Sequence, residues 1–228
     1  MGNLLGAYYF GSVGRGDHDD RSDLDILAVV QDGKGLVPQR KVLELLPTER
    51  LEMRPSISWY GKKRLAEMFK NGELFAWHLF RETLPIWQTE PVMQILGRPS
   101  QYRDGLKDVR SFRTVMSEIP AQIRRNKFNA IYEAGLVYVC VRNIAMSASW
   151  YLCERPDFSR YSAFRLGPTL ACPISVEEFD VAMACRMAGQ RGQSLPKNIS
   201  GDFVITLFER IDPWISRLEQ AVFDRGGR

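Results

Sequence analysis

The sequence predicts an α+β protein: a small mixed β-sheet domain over residues 1–98, then an all-α helical bundle over residues 99–228. Three observations carry this. Apolar runs of strand length, broken by Gly-, Pro- and Asn-containing stretches, fill roughly the first 95 residues. Beyond Pro99 the texture changes to long segments of helical period, with no strand pattern. A content of 45% hydrophobic and 25% charged residues, free of low-complexity tracts, is that of a chain able to bury a core.

Leu4 to Phe10 is a short aromatic-rich run ending at Gly-Ser, which reads as a buried strand. Residues 11–22 (GSVGRGDHDDRS) hold three glycines and many polar groups and are expected to form a loop. Leu24 to Val30 is the second strand, stopped by Gln31-Asp32-Gly33, and Val37 to Leu46 has helical spacing. Leu51 to Tyr60 reads as a third strand in which Pro55 marks an edge or a bulge. Short amphipathic helices follow at Lys62–Phe69 and Glu73–Arg81, separated at Asn71-Gly72, and Leu84 to Gln88 is a small strand. In the second half, helices are expected at about 101–127, 128–153, 175–188 and 201–223. A Pro- and Gly-punctuated loop at 155–173 interrupts them, and Ser175 with Glu178 forms a capping box.

Charge and cysteine usage narrow the classes. A net charge of +4 favours anionic ligands only mildly. Seven of the cations (Arg103, Lys107, Arg110, Arg113, Arg124, Arg125 and Lys127) fall within 25 residues. That run reads either as a solvated helix face or as a surface that meets phosphate or nucleic acid. Cys140, Cys153, Cys172 and Cys185 form no CxxC pair, and His18 and His78 are the only histidines. Free buried thiols are expected, not a zinc site. No basic segment followed by an apolar stretch opens the chain, so a cytoplasmic location is expected. The run from Ala130 to Cys153 carries Glu133, Arg142 and Asn143 and reads as a core helix, with no membrane partner.

One constellation carries chemistry. Gly11-Ser12 ends the first strand, and Asp23-Leu24-Asp25 opens the second ten residues later. The strand pleat sends Asp23 and Asp25 to one face and Leu24 and Ile26 to the other. Two carboxylates held side by side repel unless cations neutralise them, so the pair suits a site for two magnesium ions. Gly11 lets backbone N–H groups approach a phosphate, Ser12 adds a hydroxyl, and Arg15 adds charge toward a polyphosphate. Glu52, between Leu51 and Met53, is the candidate third metal ligand. Its rival is that the third position falls at Ser56 or Ser58, leaving the site one ligand short.

The segment AYYFGSVGRGDHDDRSDLDILAVV resembles the signature of the DNA polymerase beta-like nucleotidyltransferase superfamily. Within it, the ten-residue gap is similar to the minimal nucleotidyltransferases and to kanamycin nucleotidyltransferase. The resemblance is specific over residues 5–30 and extends to about residue 95. It implies that Gly11 and Ser12, with Arg15 and Ser22, bind a nucleoside triphosphate (ATP favoured), and that Asp23, Asp25 and Glu52 hold Mg2+. The superfamily usually places a helix before the first strand, whereas here the strand comes almost at once.

The second half resembles, more faintly, the helical domain of kanamycin nucleotidyltransferase, which is related to HEPN domains. Active HEPN ribonucleases carry Arg followed by His, and here Arg142 and Asn143 are followed by Ser147. A serine cannot take over general acid–base work at neutral pH, so ribonuclease activity is not expected. Glu133 is the candidate base for an acceptor hydroxyl; the plainer alternative is a solvated or Arg142-paired glutamate. His78 reads as a packing residue, His18 as a loop residue near the nucleotide, and 157–161 as a surface loop.

Three functions compete. The first is transfer of an NMP to a hydroxyl of a small molecule. An aminoglycoside would call for an acidic cleft, which the acid-poor 103–127 stretch does not provide. The second is modification of a protein or an RNA end, as minimal nucleotidyltransferases of toxin–antitoxin and defence systems do. The third is a degenerate nucleotidyltransferase kept as a non-catalytic binding subunit or antitoxin; under any of the three, a second copy of the chain or another protein is a candidate partner.

Overall fold

A computed structural model describes residues 2–20, 22–35, 37–50, 52–191, 194 and 199–227. The chain divides into two compact units, Met1–Tyr102 and Arg103–Arg228. The fold class is α+β: a small mixed sheet with its helices, then a helical unit.

In the first unit the order is β1 (Leu4–Tyr9), α1 (Gly11–Arg15), β2 (Leu24–Val30), α2 (Gln39–Leu43), β3 (Pro55–Gly61), α3 (Lys62–Asn71), α4 (Leu74–Glu82), β4 (Leu84–Gln88) and α5 (Val92–Leu96). Among the described residues the strands form one sheet in the order β3-β2-β1-β4. β1 runs antiparallel to β2 and β4, and β2 runs parallel to β3. β2 is apolar almost throughout because both of its faces are covered. Leu27 and Val29 pack with Tyr8, Phe10, Leu65, Met68 and Leu79 on one side. Leu24, Ile26 and Ala28 pack with Ala7, Val13, Val42 and Leu46 on the other. Asp25 interrupts this run and lies on the Leu27 face.

Two local expectations change. The stretch expected as loop from residue 11 opens with the helical turn α1, which Gly16 closes in the left-handed conformation. The third strand begins at Pro55 instead of Leu51, which lies outside the described residues. A 3-10 turn at Thr48–Arg50 and the Met53 N–H bond to the Arg50 carbonyl (3.3 Å) occupy the approach. Pro55 then starts an edge strand, where its missing N–H costs no ladder bond.

The second unit contains α6 (Gly105–Ser117), α7 (Ile119–Arg125), α8 (Ala130–Leu152), α9 (Val176–Arg191) and α10 (Gly201–Asp224). The single helix expected over 101–127 is split at Glu118, because Pro120 can sit only in a first turn. α8 is apolar nearly all round and forms the centre of the core, with Val137, Val141 and Ile144 fully buried against Phe179, Leu207 and Trp214. At Gly135 a Cβ would stand 2.9 Å from the Arg186 backbone, so α8 and α9 cross backbone to backbone there. The capping box forms: the Glu178 N–H donates to Ser175 Oγ at 3.2 Å, and the Ser175 N–H to Glu178 Oε2 at 2.7 Å. Among the described residues no helix is long and apolar enough to cross a membrane.

All four cysteines are free thiols. Burial pushes Cys140 and Cys172 up to about 12 and Cys185 to about 11. Cys153, partly exposed, is raised by burial and by the Asp157 charge. Since the thiolate is the reactive form, titration with a disulfide reagent at pH 8 is expected to modify Cys153 alone, slowly. All four should react after denaturation in guanidinium; rapid native reaction of two or more would contradict this packing.

Candidate functional site

The site is built where β1 ends and β2 begins. The Phe10 N–H donates to the Asp25 carbonyl at 3.1 Å, which fixes the exit of β1 against the start of β2. The chain then turns through Gly11 at φ +68°, a conformation that L side chains rarely adopt. A Cβ on Gly11 would lie 2.7 Å from Asp25 Oδ2, so the turn packs directly on the carboxylate. Asp25 is half-buried in β2 and Asp23 half-buried just before it. Gly11, Ser12, Asp23 and Asp25 are thus brought to one end of the sheet. Among the described residues the Ser12 hydroxyl makes no hydrogen bond.

Two residues that the motif did not single out hold α1 in place. A Cβ on Gly14 would stand 2.1 Å from the Glu82 carbonyl oxygen, so α1 packs backbone to backbone on the end of α4. Glu82 itself is buried and takes Arg15 Nη1 at 2.8 Å, while His78 Nε2 lies 2.7 Å from the same carboxylate. Arg15 Nε also reaches Asp17 at 3.1 Å. The Arg15 guanidinium, expected to reach for a polyphosphate, is therefore engaged by two carboxylates. His78 packs edge-on against Phe10 and Phe75, the packing role expected of it. Gly14 had a signal in the sequence, a second glycine one turn after the first. Glu82 had none, because 67 positions separate it from its partner.

The loop before Asp23 is organised by its own side chains. Ser22 Oγ donates to Asp19 Oδ1 at 2.8 Å and accepts the Asp19 N–H at 3.0 Å. The hydroxyl expected to meet nucleotide therefore closes a turn. His18 Nε2 lies 3.4 Å from Arg50 Nη1.

The expected third carboxylate is not delivered by a strand. Glu52 stands in the exposed turn ahead of β3. The parallel register sets Ser56 opposite Asp25 and Ser58 opposite Leu27, so serines occupy the Asp25 face of β3. Among the described residues no three His, Cys, Asp or Glu side chains are grouped to hold a metal ion. Two carboxylates, as Asp23 and Asp25 would supply, fit one Mg2+ whose shell substrate phosphates and waters complete.

In the helical unit, Glu133 is 3% exposed on α8. Arg142 does not pair with it, because Arg142 Nη2 donates to the Phe158 carbonyl at 3.3 Å. Ser147 is buried, and its hydroxyl has no hydrogen-bond partner among the described residues. Burial raises the Glu133 pKa above the ordinary carboxylate value. The folded protein then binds this proton more tightly than the unfolded chain, so stability falls as pH rises from the unfolded pKa through the folded one.

Two predictions follow from this geometry. Glu133→Gln should be more stable than the parent at pH 7, with the difference closing below about pH 4, where both states are protonated. A melting-temperature series from pH 3 to 8 checks it; a variant less stable at pH 7 would mean the carboxylate has a partner. Gly11→Ala should lose about 1–3 kcal/mol in urea denaturation, because alanine must hold φ +68° while displacing Asp25.

No family model and no curated protein matches the chain. Among solved structures, it is similar to spectinomycin adenyltransferase from Enterococcus faecialis, solved with ATP and spectinomycin. That match has 12% identity over 95% of this chain and 93% of that one, with a TM-score of 0.49. It is also similar to a nucleotidyltransferase-like protein from Exiguobacterium sibiricum, at 12% identity over 98% of this chain and 71% of that one, with a TM-score of 0.38.

Proposed function

We propose that this chain is a metal-dependent nucleotidyltransferase that moves an NMP, AMP by preference, from an NTP to a hydroxyl group of an acceptor. The observation that carries the reading is the packing of the Gly11 turn on the Asp25 carboxylate. A phosphate-binding turn and a cation-binding acid are wanted within one ligand's reach of each other, and a side chain at residue 11 would separate them. In the reaction the acceptor oxygen attacks the α-phosphorus. The bond from that phosphorus to the bridging oxygen breaks, and pyrophosphate leaves with the electron pair. Backbone N–H groups at Gly11 and the Ser12 hydroxyl bind phosphate oxygens. Asp23 and Asp25 hold Mg2+, which when bound offsets the charge of the triphosphate and of the leaving pyrophosphate. Arg15 and Ser22 serve by fixing the turn, through Glu82 and Asp19. The second ion of a two-metal scheme would need Glu52, which stands in the exposed turn ahead of β3.

Glu133 is our candidate for the base that takes the acceptor proton. A carboxyl group with a raised pKa is a better base near neutral pH than an ordinary one. Residues 1–98 would be the nucleotide domain, and 99–228 a HEPN-like domain for the acceptor or a partner. A small molecule, a protein and an RNA end all remain acceptors to test.

A second reading has one observation in its favour. Ser56 beside Asp25 leaves the strand without a third acid, which suits a degenerate subunit that binds nucleotide without turning it over. Label transfer separates the two. The purified chain is incubated with each α-32P-labelled NTP, Mg2+ or Mn2+, and RNA, protein or aminoglycoside acceptors. The transferase reading expects label on one acceptor class and stoichiometric pyrophosphate, both reduced more than about 100-fold by Asp25→Asn in a variant that stays folded. Nucleotide binding without label on any acceptor favours the binding subunit. Transfer that survives both Asp23→Asn and Asp25→Asn would sink the proposal.

A further inference from the structure

The basic run between residues 103 and 127 divides into two parts in the fold. Arg110 and Arg113 are tied to α10: Arg110 Nε lies 2.5 Å from Glu219, and Arg113 reaches Asp212 at 3.1 Å and Glu219 at 3.2 Å. Lys107 stands 3.7 Å from Asp104. Arg124 and Arg125, at the end of α7, and Lys127, in the following 3-10 turn, are exposed and enter no ion pair among the described residues. Two large rings stand beside these cations. Phe128 is 96% exposed, and Tyr132, one helical turn on, is 63% exposed. No acid occurs from residue 124 to 132.

This turn is held, not loose. Asn126 caps it by accepting the Phe128 N–H at 3.0 Å, and its amide donates to Asn129 Oδ1 at 3.2 Å. Ala130, two residues after Phe128, is already in the buried core. The phenyl ring is thus presented to solvent from a fixed backbone.

We propose that residues 124–132 form a platform for single-stranded nucleic acid. Phe128 and Tyr132 stack on unpaired bases, and Arg124, Arg125 and Lys127 take the neighbouring phosphates. The rings favour this occupant over a protein. Two side chains bury about 150–250 Å² each, well short of the roughly 800 Å² per partner of a stable protein interface. Base stacking needs only an open ring face and nearby positive charge, and both are present. Duplex is disfavoured because its bases are already stacked on one another. The inference does not depend on transfer chemistry.

Fluorescence anisotropy of the full chain, without NTP or metal, tests it with labelled 12-nucleotide single-stranded RNA and DNA, the matching duplex and a poly-glutamate peptide. Single strands should bind, with log K falling against log salt at a slope of about −2 for three phosphate contacts. Phe128→Ala should weaken binding about 5-fold or more while Phe128→Trp retains it, and Lys127→Ala should flatten the slope by about 0.7. Absence of binding at low salt overturns the proposal, as does duplex binding as tight as single-strand binding. Binding of poly-glutamate that needs the cations but not the rings overturns it in favour of an acidic protein surface. Because Phe128 is exposed, its variants are expected to stay folded, which circular dichroism verifies.

Discussion

The approach of the Gly11 backbone to the Asp25 carboxylate is the constraint around which the first unit is arranged. It requires a residue without Cβ, at positive φ, at the end of β1. It also requires the antiparallel pairing that brings the end of β1 to the start of β2. Once the chain has turned there, α1 has to run across the end of α4, and it can do so only because Gly14 lets it settle on the Glu82 carbonyl. The buried Glu82 carboxylate would be costly without its cation, and Arg15 supplies it from the same short helix. A glycine, a second glycine and an ion pair thus hold one turn from three sides. The turn is therefore held by contacts within the first unit itself.

The helical unit rests on a different balance. α8 is enclosed by α6, α9 and α10 and is apolar on nearly every face, so its own polarity pattern could not orient it. Orientation comes from shape and from the few polar groups it carries. Gly135 admits the Arg186 backbone, Arg142 ties the helix to the Phe158 carbonyl, and Ser149 accepts the Asp157 N–H at 2.9 Å. The Trp214 indole then fixes the 155–173 loop to α10 through the Leu170 carbonyl at 2.8 Å. Backbone groups of this loop are satisfied partly by those helices and partly within the loop, as where the Cys172 N–H donates to the Ala163 carbonyl at 2.9 Å.

What was legible in the sequence follows from how local each signal is. β1 and β2 announce themselves as short apolar runs and the long helices by their length, and the α+β division by a change of texture at Pro99. The Ser175–Glu178 cap is a four-residue signal and forms as read. The clustering of Gly11, Ser12, Asp23 and Asp25 was legible because both halves of the motif sit at strand ends. The position of Glu52 was not, since whether the residues just before Pro55 extend the strand or stay in a turn is decided by pairing with β2. The alternative at Ser56 and Ser58 was visible but could not be weighed without the parallel register. Glu82 was invisible for the same reason: a buried ion pair between α1 and α4 is a tertiary fact.

Three of the places where the fold runs against local preference coincide with the functional proposals. Gly11 holds a positive φ against a carboxylate, Glu133 is an acid buried in an apolar helix, and Phe128 is a large ring left in water. None of these improves stability. The turn at Gly11 costs conformational entropy, the burial of Glu133 opposes its ionised form, and the Phe128 ring forgoes the roughly 25 cal/mol per Å² that burial would return. Elsewhere several local signals are met, with caps formed at Ser175 and Ser200, Cys140, Cys172 and Cys185 buried, and surface cations such as Arg110 and Arg113 paired. A sequence so consistent in most of its structure is expected to depart from consistency where something other than folding has selected the residue. The departure at Gly11 comes with a partner inside the fold, the Asp25 carboxylate that its backbone approaches. Among the described residues Glu133 has no hydrogen-bond or ion-pair partner and the Phe128 ring is 96% exposed, and that asymmetry is the physical ground for the acceptor and the nucleic-acid strand that we propose.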